Sequence, residues 1–403
     1  MKNLYHNMIA RSLKNLGTFS TSYMQEDAYK IFSCYTPLNG IDTNAYPELE
    51  EFSEVCKKFI LNLSQSKNEN EFRVVATTCS SEAIVLGMYF LKQYWQGLSL
   101  SINKSEIHSC SAPNIILSNH SHIAWQKAAE LLNVKIKMLP ILQDDLTIDT
   151  SLLNKLIDAN TIGICCTLGS PTTLCFDNII KVNQILEHFD KQHNLHIPIH
   201  VDAASGGFIA PFVYPKFDWG FNLSHVYSIN ISSHKYGLVY PSLGWLLMRK
   251  IICPDTYAFR QDYLGKIIHT YGIRFSHTAA HLATQHYYIQ TKEFAGYQVI
   301  INKLFFLAKT LKYYLSQINE ILTISPETST QLPGVVFALQ TSKFNLQQLI
   351  DDLKQQGWIL PVYQLPSENK TIVTRIVLRY GMTEDTIQTF ITNLKNTITS
   401  LLR

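Results

Sequence analysis

At 403 residues and 46.0 kDa the chain can bury a large core and divide into two or three domains. Charged residues are only 16% of it, which suits a large subunit interface, and a formal net charge of +3 carries no bulk electrostatic footprint for nucleic acid or an anionic membrane. The first ten residues lack the apolar core of a signal peptide and no stretch reaches the roughly 18 uninterrupted apolar residues of a membrane span, so a cytoplasmic protein is expected.

Residues 1 to about 45 read as a polar, aromatic-rich, loop-like arm with a turn at Pro37-Leu-Asn-Gly40. Pro47 then opens an amphipathic helix with Leu49, Phe52, Val55, Cys56 and Phe59 on one face. Strand-like runs follow at Arg73–Thr77, Asn114–Ser118, Val134–Met138, Thr161–Thr167, Pro198–Val201, His225–Ile231 and Gly244–Met248. Helical stretches at Glu82–Tyr94, Ala124–Leu132, Ser151–Ala159 and Ile179–His188 separate several of them. Such alternation predicts an α/β domain with a mostly parallel sheet, which gathers ligands at the carboxyl ends of its strands. After Glu293 a long helix, roughly Tyr297 to Gln317, leads into a β-α-β-β-α pattern. Its elements are Gly334–Leu339, Leu346–Gln356, Ile359–Val362, Thr371–Leu378 and Thr383–Leu402, a compact α+β unit. The division is therefore an arm at 1–45, a large domain at 46–295 and a small C-terminal domain at 296–403. Eight cysteines contain no Cys-x-x-Cys pair and lie in apolar runs, as free buried thiols do.

Two segments carry chemistry. Asp202 ends the apolar run Ile197-Pro-Ile-His-Val201, and Lys235 follows 33 residues later in Ser232-Ser-His-Lys-Tyr-Gly237. A carboxylate deep in a sheet needs a cation, and a lysine at a buried strand end loses pKa. Pyridoxal phosphate answers both: its aldehyde takes the lysine amine, and its ring nitrogen, held protonated by the carboxylate, makes the ring an electron sink. Small residues after Asp202 let such a ring lie against the backbone. In Arg73-Val-Val-Ala-Thr-Thr-Cys-Ser-Ser-Glu-Ala83 a strand runs into a helix start, so Ser80 and Ser81 stand where amides and the helix dipole favour a phosphate. Taken alone, they equally fit a plain N-cap beside Glu82. His122, at a strand-to-helix turn, can stack on the ring. His120 and His122 at i, i+2 could suggest a metal, but no third ligand has a recognisable spacing, and no metal is expected.

The run His200-Val-Asp-Ala-Ala-Ser-Gly-Gly-Phe-Ile-Ala-Pro-Phe212, with Ser228-Ile-Asn-Ile-Ser-Ser-His-Lys-Tyr-Gly-Leu238 and Gly244-Trp245, closely resembles the glutamate decarboxylases among the pyridoxal phosphate-dependent group II decarboxylases. The resemblance extends from about Ala10 to Leu402. It implies fold type I, the aspartate aminotransferase-like fold, in a homodimer or multiple of dimers with active sites at the subunit interface. It further implies Lys235 as the Schiff-base lysine, Asp202 on the ring nitrogen, Ala204 beneath the ring, and Ser80, Ser81, Ser232 and His234 at the phosphate. Phe275 and Ser276 match a segment reaching the phosphate from the neighbouring subunit. Thr18, Phe19, Asn39 and Asp42 match residues beside the substrate, and Arg375 matches the arginine that grips the α-carboxylate, a group that a planar guanidinium binds at two points. Tyr263 resembles the mobile-loop tyrosine that donates a proton or gates the site.

Departures accompany the match. His122 stands where bacterial and plant glutamate decarboxylases carry glutamine, and is the usual residue in the wider group, aromatic amino acid decarboxylases included. Pro171, in Thr167-Leu-Gly-Ser-Pro-Thr-Thr173, replaces a threonine near the cofactor, which leaves Thr172 as the substitute. The family's longer N-terminal extension and C-terminal tail have no counterpart, so regulation through them is not expected. The implied reaction is α-decarboxylation of L-glutamate to 4-aminobutyrate and carbon dioxide, faster at acidic pH because Asp42 would repel an ionised distal carboxylate. Decarboxylation of aspartate, histidine or an aromatic amino acid, a carbon–carbon lyase, and a catalytically silent dimer with a binding role stand as alternatives.

Overall fold

The computed structural model describes residues 2–101, 112–262, 267–326 and 330–403. Its N-terminal arm corrects the loop-like expectation, because it contains helices α1 (Lys2–Leu13) and α2 (Glu26–Tyr35). Glu26 and Asp27 favour the positive end of α2, Ala28 is buried, and Phe32 meets Tyr240 and His281 edge-on at 5.7 and 5.2 Å. Tertiary packing on a distant segment thus supports a helix of only 10 residues, too short to be stable alone. The amphipathic helix expected from Pro47 is α3 (Glu48–Leu63), with Leu49, Cys56 and Ile60 buried.

Seven strands form the large sheet: β1 (Phe72–Thr77), β2 (Asn114–Ser118), β3 (Lys135–Leu139), β4 (Thr161–Thr167), β5 (Ile199–Asp202), β6 (Val226–Ser232) and β7 (Gly244–Arg249). Their order is β1-β7-β6-β5-β4-β2-β3. Only β7 runs antiparallel to its neighbours, β1 and β6. The connecting helices are α4 (Ser80–Ser101), α5 (Ala124–Leu131), α6 (Leu153–Leu156), α7 (Ile179–His193) and α8 (Ala210–Val213). Every residue of β2, β4, β5 and β6 is buried, as expected of parallel strands covered on both faces. Alternation sorts the side chains: Ile115 and Leu117 pack with Ile84, Met88 and Trp125, whereas Ile116 joins Ile179 and Val182 on the other face.

A short hairpin, β8 (Phe259–Gln261) with β9 (Ile268–Thr270), precedes α9 (Ala280–Ser316). That helix begins well before the expected Tyr297 and is broken at Glu293, whose φ of 50° and ψ of −163° are not helical. A second, antiparallel sheet follows, β10 (Ile321–Thr323), β11 (Gly334–Leu339), β12 (Val362–Gln364) and β13 (Ile372–Val377), in the order β10-β11-β13-β12. Helices α10 (Leu346–Gln355) and α11 (Glu384–Leu402) accompany it. The strand expected at Ile359–Val362 starts only at Val362, because Ile359 pairs with the arm: Leu16 donates to the Ile359 carbonyl at 2.9 Å and Ile359 to that of Lys14 at 3.1 Å.

Arg379 fastens the same arm. Its guanidinium, 2% exposed, donates to the carbonyls of Ser12, Asn15 and Ser20 at 3.1, 2.7 and 3.0 Å and to the Ser22 hydroxyl. Burial lowers its pKa to about 10, so the charge persists and the arm carbonyls meet it. Farther along, the Thr21 amide donates to the His234 carbonyl at 2.7 Å and its hydroxyl to that of Lys235 at 2.5 Å. The arm is thereby held against the carboxyl end of β6.

Candidate active site

Alternate residues of a strand share a face, so His200 and Asp202 of β5 look the same way as Ser228, Asn230 and Ser232 of β6. The register pairs His200 with Ser228 and Asp202 with Asn230. His200 meets the Ser228 hydroxyl through Nδ1 and the Asn230 amide oxygen through Nε2, both at 2.7 Å. That oxygen can only accept, so Nε2 carries the proton. Complete burial lowers the imidazole pKa to about 4 and keeps the ring neutral. The Asn230 amide group donates to Asp202 Oδ1 at 2.8 Å, the Ala204 amide to the same oxygen at 3.2 Å, and the Trp125 indole to Oδ2 at 2.9 Å. A carboxylate 4% exposed is thus met by three donors and aimed by two neighbouring elements.

Lys235 lies just beyond β6. Its Nζ donates to the Ser205 hydroxyl at 3.0 Å and sits 5.4 Å from the Phe19 ring centroid. Burial lowers its pKa to about 8, against the pull of Asp202 and with some help from Arg375. A primary amine there is half neutral, and so available as a nucleophile, near pH 8, where an ordinary lysine is almost wholly protonated. The Arg375 guanidinium stands 4.9 Å from the same Phe19 ring and 5.4 Å from that of Tyr363. Its Nη1 donates to the Pro171 carbonyl at 2.5 Å and its Nη2 to that of Gly17 at 3.1 Å. Tyr363 braces the adjoining peptide by donating its hydroxyl to the Thr172 carbonyl at 2.5 Å.

Ser80 opens α4, and its hydroxyl lies 2.7 Å from that of Ser232. Free amides at the helix start and two hydroxyls form a cup for an anion. Gly244 lets β7 approach this turn, since a Cβ there would stand 2.8 Å from the Cys79 carbonyl carbon and 3.0 Å from the Ser80 nitrogen. His234 turns Nδ1 to the Leu243 carbonyl at 3.1 Å, and burial, reinforced by Lys235, lowers its pKa to about 4. The Nδ1 of His122 accepts the Ala124 amide at 3.2 Å, and burial lowers the pKa of this ring as well.

These groups line one cavity of about 580 Å³. It brings together Thr18, Phe19, Ser80, Ser81, His122, Asp202, Ala204, Ser232, His234, Lys235 and Arg375. Thr172 is not among the lining residues; Pro171 is, while the Thr172 hydroxyl pairs with Ser170 at 3.1 Å. Asn39, Asp42, Phe275 and Ser276 also lie outside the cavity lining. Their two segments pack on each other instead, with the Gly40 amide donating to the His277 carbonyl at 2.7 Å and the His277 amide to the Asn39 side chain at 3.3 Å. Asp42 accepts the Ala45 amide at 3.1 Å. Tyr263 lies outside the described residues. Sequence reasoning missed Trp125, Ser205, Asn230, Tyr363 and Arg379. The polar alternation Ser228, Asn230, Ser232 within an otherwise apolar strand was a legible signal for Asn230. The Trp125 indole carried no such signal.

A lysine amine, a buried carboxylate with its own donors and an anion cup at a helix start fit the aldehyde, ring nitrogen and phosphate of pyridoxal 5′-phosphate. Fold and site together define a fold type I pyridoxal phosphate enzyme. Residues 32–340 match the pyridoxal-dependent decarboxylase conserved domain. The glutamate decarboxylase of Lactococcus lactis is 35% identical over 384 residues, spanning 91% of this chain and 80% of the relative. That of Solanum lycopersicum is 31% identical over 392 residues, spanning 96% and 77%. The solved structure of Lactobacillus brevis glutamate decarboxylase superposes with a TM-score of 0.91 at 32% identity, covering 97% of this chain and 89% of that one. The chain belongs to the pyridoxal-dependent decarboxylase family and is a pyridoxal phosphate-dependent amino-acid decarboxylase.

Proposed function

We propose that the enzyme removes the α-carboxyl group of L-glutamate, giving 4-aminobutyrate and carbon dioxide. The observation that carries this reading is that Lys235 and Arg375 both stand against the Phe19 ring in one cavity, in a chain that matches glutamate decarboxylases over nine-tenths of its length. Bound pyridoxal phosphate supplies the sink for the electron pair left on the α-carbon when carbon dioxide departs. Asp202 would hold the ring nitrogen protonated, and Lys235 would provide the amine that anchors the cofactor. Ser80, Ser81, Ser232 and His234 would hold the phosphate, and Ala204 and His122 would contact the ring. Arg375 would grip the α-carboxylate with its remaining N–H groups and fix its orientation. The reaction consumes one proton at the α-carbon, and Tyr263 delivers it or gates its source. Thr18 and Phe19 flank the substrate. Thr172 stays beside the cofactor only through its backbone, because Pro171 is the residue on the cavity wall.

Asn39, Asp42, Phe275 and Ser276 belong to a packed unit, and we assign it to the cavity of a second copy of the chain in a homodimer. Mixing Lys235→Ala subunits with Ser276→Trp subunits tests this sharing: activity should return in the mixed dimers, and its failure to return would remove the shared site. Among the described residues no two cysteines are joined by a disulfide, which suits the reducing cytoplasm, and no helix is long and apolar enough to cross a membrane. A panel of carboxyl-labelled amino acids scored for released carbon dioxide tests the substrate. Glutamate should lead it; strong preference for an aromatic amino acid, the reading that His122 favours, would overturn the assignment.

A further inference from the structure

A second cluster of ligand-type side chains lies at the amino ends of β5 and β6, the ends away from the cavity. Asp190 is in the last turns of α7, His196 is in the connection from α7 to β5, and His225 directly precedes β6. One potential ligand atom from each lies within 4.8 Å of the other two. The proton positions follow from the partners. His225 Nδ1 faces the Ile197 carbonyl at 2.9 Å, and His196 Nδ1 faces Asp190 Oδ2 at 2.9 Å. Both oxygens accept, so each neutral ring keeps its lone pair on Nε2; for His225, whose Nδ1 proton is held by a backbone carbonyl, this is the usual setting of a metal-bound histidine, whereas His196 has to release Asp190 before the two can share one ion. His196 Nε2 is buried with no hydrogen-bond partner among the described residues, which leaves a lone pair with nothing to receive it.

We propose that Asp190, His196 and His225 form a zinc site with two imidazoles and one carboxylate. This donor set matches a divalent ion of intermediate softness and leaves a fourth, tetrahedral position for water. One movement is required. The two rings are stacked, with centroids 4.2 Å apart and planes 15° apart, and an ion in the plane of one cannot then lie in the plane of the other. His225 is buried and held by Ile197, whereas His196 is partly exposed in a connecting loop, so His196 is the ring that swings. Binding ties the end of α7 and the start of β5 to the start of β6, far from the catalytic groups. The ion therefore stabilises the fold and leaves the reaction alone.

The test uses full-length, cofactor-loaded protein stripped with a chelator and titrated with zinc alone, with bound metal counted after desalting. Wild type and a His188→Ala control, which removes a neighbouring surface histidine, should bind one more equivalent per chain than Asp190→Asn or His196→Ala. Zinc should raise the melting temperature of the first pair only, by mass action. Equal uptake by all four proteins, or none by wild type, overturns the site. X-ray absorption on zinc-loaded wild type needs no variant: two imidazole nitrogens and a carboxylate oxygen at about 2.0–2.2 Å are expected, and a thiolate or all-oxygen shell overturns it.

Discussion

Asp202 with its three donors, and Ser80 with Ser232, come from neighbouring elements of one sheet, and each polar group finds its partner within that sheet or the helices on it. Across the same cavity, Thr18 and Phe19 come from an N-terminal arm and Arg375 from the C-terminal sheet. Those residues lean on backbone carbonyls of Gly17 and Pro171 and on the clamp made by Arg379. The difference separates two kinds of sensitivity. Change on the cofactor side should strike chemistry while the fold stands; change on the substrate side should strike binding and the attachment of the arm.

The sharpest break is Lys235→Ala, for which release of labelled carbon dioxide should fall at least about a thousandfold. A loss under tenfold would deny the cofactor side its role. Asp202→Asn removes the charge but keeps the shape, and losing a charge-assisted hydrogen bond of about 3 kcal/mol predicts a roughly hundredfold lower kcat with the cofactor still bound. Arg375→Lys keeps the charge but not the fork; kcat/KM should fall about tenfold to a hundredfold with unchanged cofactor absorbance. Were the absorbance to change instead, the division between the two sides of the cavity would be wrong. Arg379→Met leaves arm carbonyls unpaired, so the urea midpoint should drop by the equivalent of about 2 kcal/mol while kcat moves less than fivefold.

The remaining effect is one of pH and needs no substitution. The Lys235 pKa is about 8 in the fold against 10.5 ordinarily, so between those values the unfolded chain binds the extra proton. The penalty of holding this ammonium buried is present in full below pH 8 and is relieved as pH rises toward 10.5. Capture of added pyridoxal phosphate by the cofactor-free protein, which needs the neutral amine, should quicken about tenfold per pH unit below 8 and level off above. A flat profile from pH 6 to pH 9 would refute the depressed pKa.

Much of the cofactor side was legible in the residues. Strand periodicity put Asp202 and Lys235 at the carboxyl ends of buried strands, and an uncompensated carboxylate there demanded a cation. The helix start at Ser80 followed from local turn chemistry in the same way. On the substrate side, the pairing of Arg375 with Phe19 and the separation of Asn39 and Asp42 from the cavity depend on contacts between segments far apart in the chain. Local period carries no record of those contacts. The arm shows the same limit, since α2 completes itself by packing on α9 and was expected as loop.

What the sequence determined alone, then, is the alternation of strands and helices through the large sheet, the burial of β2, β4, β5 and β6, and the cofactor chemistry at the ends of β5 and β6. Each follows from residue type and spacing within a dozen positions. Only the tertiary structure decided that Trp125 and Asn230 aim Asp202, that Pro171 rather than Thr172 faces the cavity, that Arg379 holds the arm, and that Asp190, His196 and His225 converge. Each of these joins side chains from different elements, and their meeting is set by the packing of helices on the sheets, which no single segment encodes.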